Sequence, residues 1–297
     1  MLSRLAEPKA ANAYLFLTLT MLFWAGNFTI GRWAAGQVPP FTLTALRWTG
    51  AVLLMLAIGW RQVRDDLGAI RAHWRILVLL GAIGSGSFNA LQYLALNYTT
   101  ATSAGVINST SPAMIALASY VLVGEAVTAR RLAGIALSFA GVLVVLAKGA
   151  PAALADLAFD VGDVILLGAM AIWAVYTALL ARRPPVHDFS FVAVSFLVAA
   201  AINIPLAAIE QALGARFAAT SETLAAIAYT AVFPGVIAYL MFNRGVAIIG
   251  PTRAGAFMHL VPLFTAVLAM LFLGEEPALY HVVGLGLILA GVWLTAR

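Results

Sequence analysis

Ser85, Asn89 and Tyr93 are spaced by four, which puts them on one face of a helix. The pattern returns 150 residues later as Gly235, Tyr239 and Asn243, so Asn89 corresponds to Tyr239 and Tyr93 to Asn243. Other polar or aromatic positions follow nearly the same shift. Trp24 corresponds to Trp173, Asn27 to Tyr176, Asn108 to Met258 and Ser109 to His259. Amides, phenols, indoles and one imidazole can hydrogen-bond an organic solute, pack against it and hold a cation over a ring. They do not make a catalytic set. No Gly-x-Ser-x-Gly or His-Glu-x-x-His occurs, the four histidines are scattered, and there is no cysteine. The chemistry predicted is therefore solute binding, with no catalytic residue, no metal site and no cofactor.

These side chains lie in very apolar surroundings. Of 297 residues 63% are apolar and only 10% charged, and mean hydropathy is +0.98. A soluble domain carries about 25% charged residues, so a soluble core and disorder are both excluded. The fold class predicted is an all-α polytopic membrane protein. The net charge of +5 comes without a basic run long enough to follow phosphates. It reflects the Lys/Arg excess of cytoplasmic loops rather than a nucleic-acid partner.

Charges and polar breaks divide the chain into ten transmembrane helices, near 11–31, 40–60, 76–97, 101–123, 132–147, 164–181, 189–209, 223–247, 254–273 and 277–296. With both termini in the cytoplasm, twelve loop and terminal Lys/Arg fall on that side. Only Arg32, Lys148 and Arg216 fall opposite. The internal shift divides the chain into two five-helix repeats, 1–148 and 149–297. An odd helix count inverts the second copy, an arrangement that places a binding site near the midplane between copies.

Polar side chains inside spans either line a cavity or bond neighbouring helices, and the sequence leaves both uses open. The candidate substrate-binding set is Trp24, Asn27, Asn89, Tyr93, Asn108, Ser109, Trp173, Tyr176, Tyr239, Asn243 and His259. His259 reads as a neutral, hydrogen-bonded histidine, with a proton relay as the alternative. Arg47, a charge well inside the second span, is expected to be paired structurally; snorkelling and attraction of a carboxylate are its other uses. No Asp or Glu lies well inside a span, which favours facilitated diffusion or weak coupling over cation–proton antiport. Pro112, Pro234 and Pro262 are predicted mid-span, as bends at which a rocking transporter opens and closes.

Trp24-Ala25-Gly26-Asn27 in the first span, Ala45-Leu46-Arg47-Trp48 in the second, and Pro112 followed by Gly124-Glu125 resemble the drug/metabolite transporter superfamily, and within it the EamA type of exporter. The second copy keeps Pro262 and Gly274-Glu275 but has Ser195 where Arg47 would recur. The resemblance implies a central cavity, alternating access, the bacterial inner membrane, and amino acids (aromatic and other neutral ones) as exported cargo. Other cargoes within transport are a nucleotide sugar or a cationic drug, the latter proton-coupled. The partners expected are a small-molecule substrate and membrane lipid, without nucleic acid or an obligate protein partner.

Overall fold

The structure, a computed structural model, describes residues 10–98, 108, 110–124, 128–146, 161–273 and 279–296. In a bilayer an apolar run must satisfy its own backbone, and helix is the local way to do so. In the first copy the helices are α1 (Ala10–Ala34), α2 (Pro40–Asp65), the short α3 (Leu67–Ala72), α4 (Trp74–Gly81), α5 (Phe88–Tyr98), α6 (Ser111–Val123) and α7 (Ala129–Leu146). In the second they are α8 (Val161–Leu179), α9 (Asp188–Ala212), α10 (Ser221–Ala231), α11 (Ala238–Ile249), α12 (Pro251–Ala256), α13 (Leu260–Leu273) and α14 (Leu279–Ala296). Among the described residues, six helical stretches are long and apolar enough to cross a membrane: Ala11–Gly31, Pro40–Asp65, Trp74–Tyr98, Val164–Arg182, Asp188–Ala212 and Ser221–Ile249. The other four expected spans fall on α6, α7, α12 with α13, and α14. Each of these is shorter or borders residues outside the described set.

Equivalent helices from the two copies pack against each other antiparallel. Glu210, near the end of α9, accepts from Phe41 N at 3.2 Å and Thr42 N at 2.8 Å at the start of α2. Asp66, just past the end of α2, accepts from His187 N at 3.0 Å at the start of α9. Each helix thus sends a carboxylate to the other's N-terminus, where unpaired N–H groups and the helix dipole favour an anion. Between α7 and α14 the reciprocity is steric. A Cβ added at Gly141 would sit 2.7 Å from Gly284 O, and one at Gly291 would sit 2.5 Å from Gly134 O. Gly134 and Gly141 are the equivalents of Gly284 and Gly291. Such close backbone approach is what small residues permit between membrane helices.

The three prolines predicted mid-span sit differently in their helices. Pro112 lies in the first turn of α6, where its missing N–H breaks no helical bond. Pro262 is the third residue of α13, and the break in that span is the 3-10 turn Phe257–His259 preceding it. Pro234 alone falls within a continuous helical stretch, inside a π-helical segment, Val232–Ile237. Its equivalent in the first copy, Ala82–Ser87 between α4 and α5, is also π-helical, at a shift of 150 and without a proline. Pro205, inside α9, is a further mid-helix proline that the sequence reading did not single out.

The α7/α14 crossing can be tested directly. Gly141→Ala forces a methyl against backbone and is expected to cost about 1–3 kcal/mol, as overpacking does. Gly286→Ala, whose Cβ meets nothing within 4 Å, should cost nothing. Thermal unfolding of the two detergent-purified variants decides; equal melting temperatures would contradict the close crossing.

Candidate functional site

A residue that touches its own equivalent lies on the axis relating the copies. Two pairs do so. The rings of Trp24 and Trp173 meet edge-on, with centroids 5.1 Å apart. Asn89 Nδ2 donates to Tyr239 Oη at 3.0 Å. A cavity lies at these pairs, lined by Trp24, Asn27, Asn89, Asn108, Trp173 and Tyr239 from the candidate set. Its volume is about 20 Å³, room for about one water.

The π-helical segments frame this cavity. Such turns leave carbonyl groups outside the regular ladder, and here the opposite copy answers them. Tyr239 Oη donates to Gly84 O at 2.7 Å, and Trp24 Nε1 donates to Pro234 O at 3.1 Å. Gly84 and Pro234 are equivalents. Gly86 O also accepts from Asn203 Nδ2 at 3.0 Å. A side chain at Gly84 would collide with the Tyr176 ring, 2.4 Å from Cδ2, so the small residues of this segment admit a neighbouring helix.

Behind the cavity wall the same hydrogen bond occurs twice with its residue types exchanged. Tyr93 Oη donates to Asn27 Oδ1 at 2.6 Å, and Tyr176 Oη donates to Asn243 Oδ1 at 2.9 Å. Asn27 and Tyr176 are equivalents, as are Tyr93 and Asn243. Tyr93, Tyr176, Asn243 and His259 do not line the cavity; they are buried around it. His259 is wholly buried, and among the described residues neither ring nitrogen has a hydrogen-bond partner, unlike the hydrogen-bonded histidine expected. Ser109 lies outside the described residues.

The first copy adds something the second lacks. Arg47 is 1% exposed, and its guanidinium joins the Tyr93–Asn27 pair. Nη1 donates to Tyr93 Oη at 2.7 Å, Asn89 Oδ1 at 2.9 Å and Asn27 Oδ1 at 3.2 Å. The guanidinium carbon also lies 4.4 Å from the Trp48 ring centroid. All of these partners are neutral. The structural pairing expected of Arg47 is therefore a set of hydrogen bonds and a ring contact rather than an ion pair.

Residues that the sequence reading did not name complete the cavity: Phe28, Phe88, Gln92, Met258 and Val261. Phe88 stacks toward Trp173 at 4.8 Å between centroids. Gln92 is 2% exposed and its amide nitrogen has no partner. Its equivalent is Phe242, so comparing the copies could not find it. The Gln92 position, one helical turn from Asn89, was the available signal. The wall presents an aromatic enclosure with amide groups, chemistry suited to a small, partly flat organic molecule in a wider form of the cavity. No group of His, Asp or Glu suited to a metal ion occurs among the described residues.

The description "EamA-like transporter family" matches residues 11–147 and 160–297. An uncharacterized transporter of Archaeoglobus fulgidus is 33% identical over 287 residues, covering 96% of this chain and 97% of that protein. A probable terminal-alkyne amino-acid exporter of Streptantibioticus cattleyicolor is 27% identical, covering 97% and 95%. An S-adenosylmethionine/S-adenosylhomocysteine transporter of Chlamydia trachomatis is 25% identical, covering 94% and 88%. A solved crystal structure aligns with a TM-score of 0.79 at 22% identity over 96% of each chain, a likeness of fold.

Tyr239→Phe keeps the ring contacts but removes the hydroxyl that links Asn89 to Gly84 O. It leaves a buried donor and a buried acceptor unpaired, at an expected cost of about 1–3 kcal/mol each. A melting temperature equal to that of the unaltered protein would show that this bridge does not hold the two copies together.

Proposed function

Because the chain belongs to the EamA-like transporter family, we propose that it exports small organic solutes across the bacterial cytoplasmic membrane by alternating access around the central cavity. Amino acids with aromatic and other neutral side chains are the leading cargo. Ten spans in two inverted repeats, 1–148 and 149–297, with both termini in the cytoplasm, complete the reading. The observation that carries it is the composition of the cavity wall. Trp24, Asn27, Phe88, Asn89 and Gln92 come from one copy, and Trp173, Tyr239 and Met258 from the other. A site shared between inverted copies changes the side it faces when the copies rock against each other. The similarity to an amino-acid exporter supports the cargo class, and the similarity to an S-adenosylmethionine/S-adenosylhomocysteine transporter favours larger aromatic metabolites as a second reading. Among the described residues the cavity wall contains no carboxylate, which supports transport without the exchange of a proton and cargo on one acid.

Purified protein in liposomes is expected to exchange radiolabelled phenylalanine or leucine across the membrane, with no dependence on an imposed proton gradient. Exchange no faster than in protein-free vesicles would refute the amino-acid reading, and gradient-driven accumulation would refute the uncoupled one. Because the chain has no cysteine, single-cysteine labelling reads the topology. Ala153→Cys should react with an impermeant maleimide from outside the cell, and Arg64→Cys only after permeabilisation.

A further inference from the structure

The hydrogen-bonding groups around the central cavity are unbalanced. Among the described residues Gln92 Nε2, Asn108 Nδ2 and Trp173 Nε1 are buried N–H donors without partners, against one unpartnered acceptor on the same wall, Asn108 Oδ1. Asn27 Oδ1 is already taken by Arg47 and Tyr93, so Asn27 offers a guest its amide nitrogen. Directly behind Asn27 and Asn89 lies the Arg47 guanidinium, whose Nε is also unpartnered. No ion pair joins Arg47 to a carboxylate among the described residues. Native interiors leave few polar groups unpaired, and a buried charge without a counter-charge costs several kcal/mol. A surplus of donors beside an uncompensated positive charge describes a site completed by an anionic, acceptor-rich group.

We propose that the cavity recognises a carboxylate on a flat apolar body, and that the α-ammonium group of an amino acid is dispensable for binding. This rests on the transport reading and specifies which part of the cargo the site reads. Gln92, Asn108 and Trp173 supply the direct donors. Arg47 acts as a positioning residue: its charge polarises the Asn27 and Asn89 amides toward the guest without touching it, since Arg47 itself is not part of the wall. Trp24, Phe88 and the Trp173 ring enclose the apolar body. An ammonium group has no anionic partner on the described wall, so it adds nothing to binding.

A matched series tests this: phenylalanine, 3-phenylpropionate (no ammonium), phenylalaninamide and phenethylamine (neither with a carboxylate). Binding to the detergent-purified protein is measured by titration calorimetry, and counterflow of labelled phenylalanine is measured in liposomes. Phenylalanine and 3-phenylpropionate are expected to bind within about 3-fold of each other, and the amide and amine at least about 10-fold more weakly, the scale of one charge-assisted hydrogen bond. Gln92→Leu should weaken both carboxylates about 10-fold while leaving the melting temperature unchanged or raised, because it removes an unpaired buried group. Arg47→Gln should abolish the preference for 3-phenylpropionate over phenylalaninamide. Amide or amine bound as tightly as phenylalanine, with counterflow intact, would overturn the carboxylate assignment and leave the transport reading standing. Unchanged carboxylate binding by Gln92→Leu would remove Gln92 from the site. If no member binds and counterflow is absent, the amino-acid transport reading fails and takes this inference with it.

Discussion

Inside a hydrocarbon core, a carbonyl that its own helix does not use has to be answered by another part of the protein. The two π-helical segments create such carbonyls at equivalent positions, and each copy supplies the donor the other needs. Tyr239 of the second copy serves Gly84 of the first, and Trp24 of the first serves Pro234 of the second. Neither copy can therefore complete its own third helix. The dependence extends to the periphery, where Asp66 and Glu210 serve each other's helix starts and Gly141 and Gly291 fit against glycine backbones. Mutual completion fixes where the seam between the copies runs, and the cavity is the part of that seam that side chains do not fill.

The seam is symmetric in architecture and asymmetric in chemistry. Exchanging Tyr and Asn between copies preserves a hydrogen bond of the same kind in both, so the framework is conserved while the identity at each position is not. Arg47 breaks the pattern outright, because Ser195 takes its place in the second copy and bonds only to Phe191 O of its own helix. A positive charge consequently lies on one side of the axis. Near-equal copies give a transporter two states of similar energy, and under the proposed carboxylate recognition a one-sided charge would orient the guest.

Much of this was legible from residue spacing, and the failures share a cause. The stripe Asn89–Tyr93 and its counterpart Tyr239–Asn243 emerged because polar residues in an apolar helix stand out and because they recur. Gln92 escaped because its counterpart is Phe242, and Arg47 was recognised as buried but its partners were not, since they come from α1 and α5 and converge only after folding. The π-helical segments left no trace: AIGSGS and VFPGVI share no pattern beyond the glycine or proline that each places near its centre. Backbone geometry of that kind follows from the tertiary partners available, here Tyr239 and Trp24, rather than from local preference. A proline's effect likewise depends on whether its missing N–H was needed. At Pro112, in the first turn of α6, it was not.

Opening the cavity has a definite cost in this arrangement. With room for about one water, the site admits an organic guest only if the copies part along the seam. The bonds that cross the seam around the cavity include Asn89 to Tyr239, Tyr239 to Gly84, Trp24 to Pro234, Asn203 to Gly86 and Thr20 to Ala238. The bonds within each copy, Arg47 with Tyr93 and Asn27, and Tyr176 with Asn243, survive such a motion. Each crossing bond is worth about 1 kcal/mol net when its groups find other partners, and a guest that satisfies the exposed donors supplies those partners. A total of a few kcal/mol is the range in which a ligand can shift a conformational equilibrium through its contacts. In the proposed cycle the charge-centred cluster of the first copy would stay assembled while the neutral bonds at the axis open and close, with the guest replacing what the opening removes.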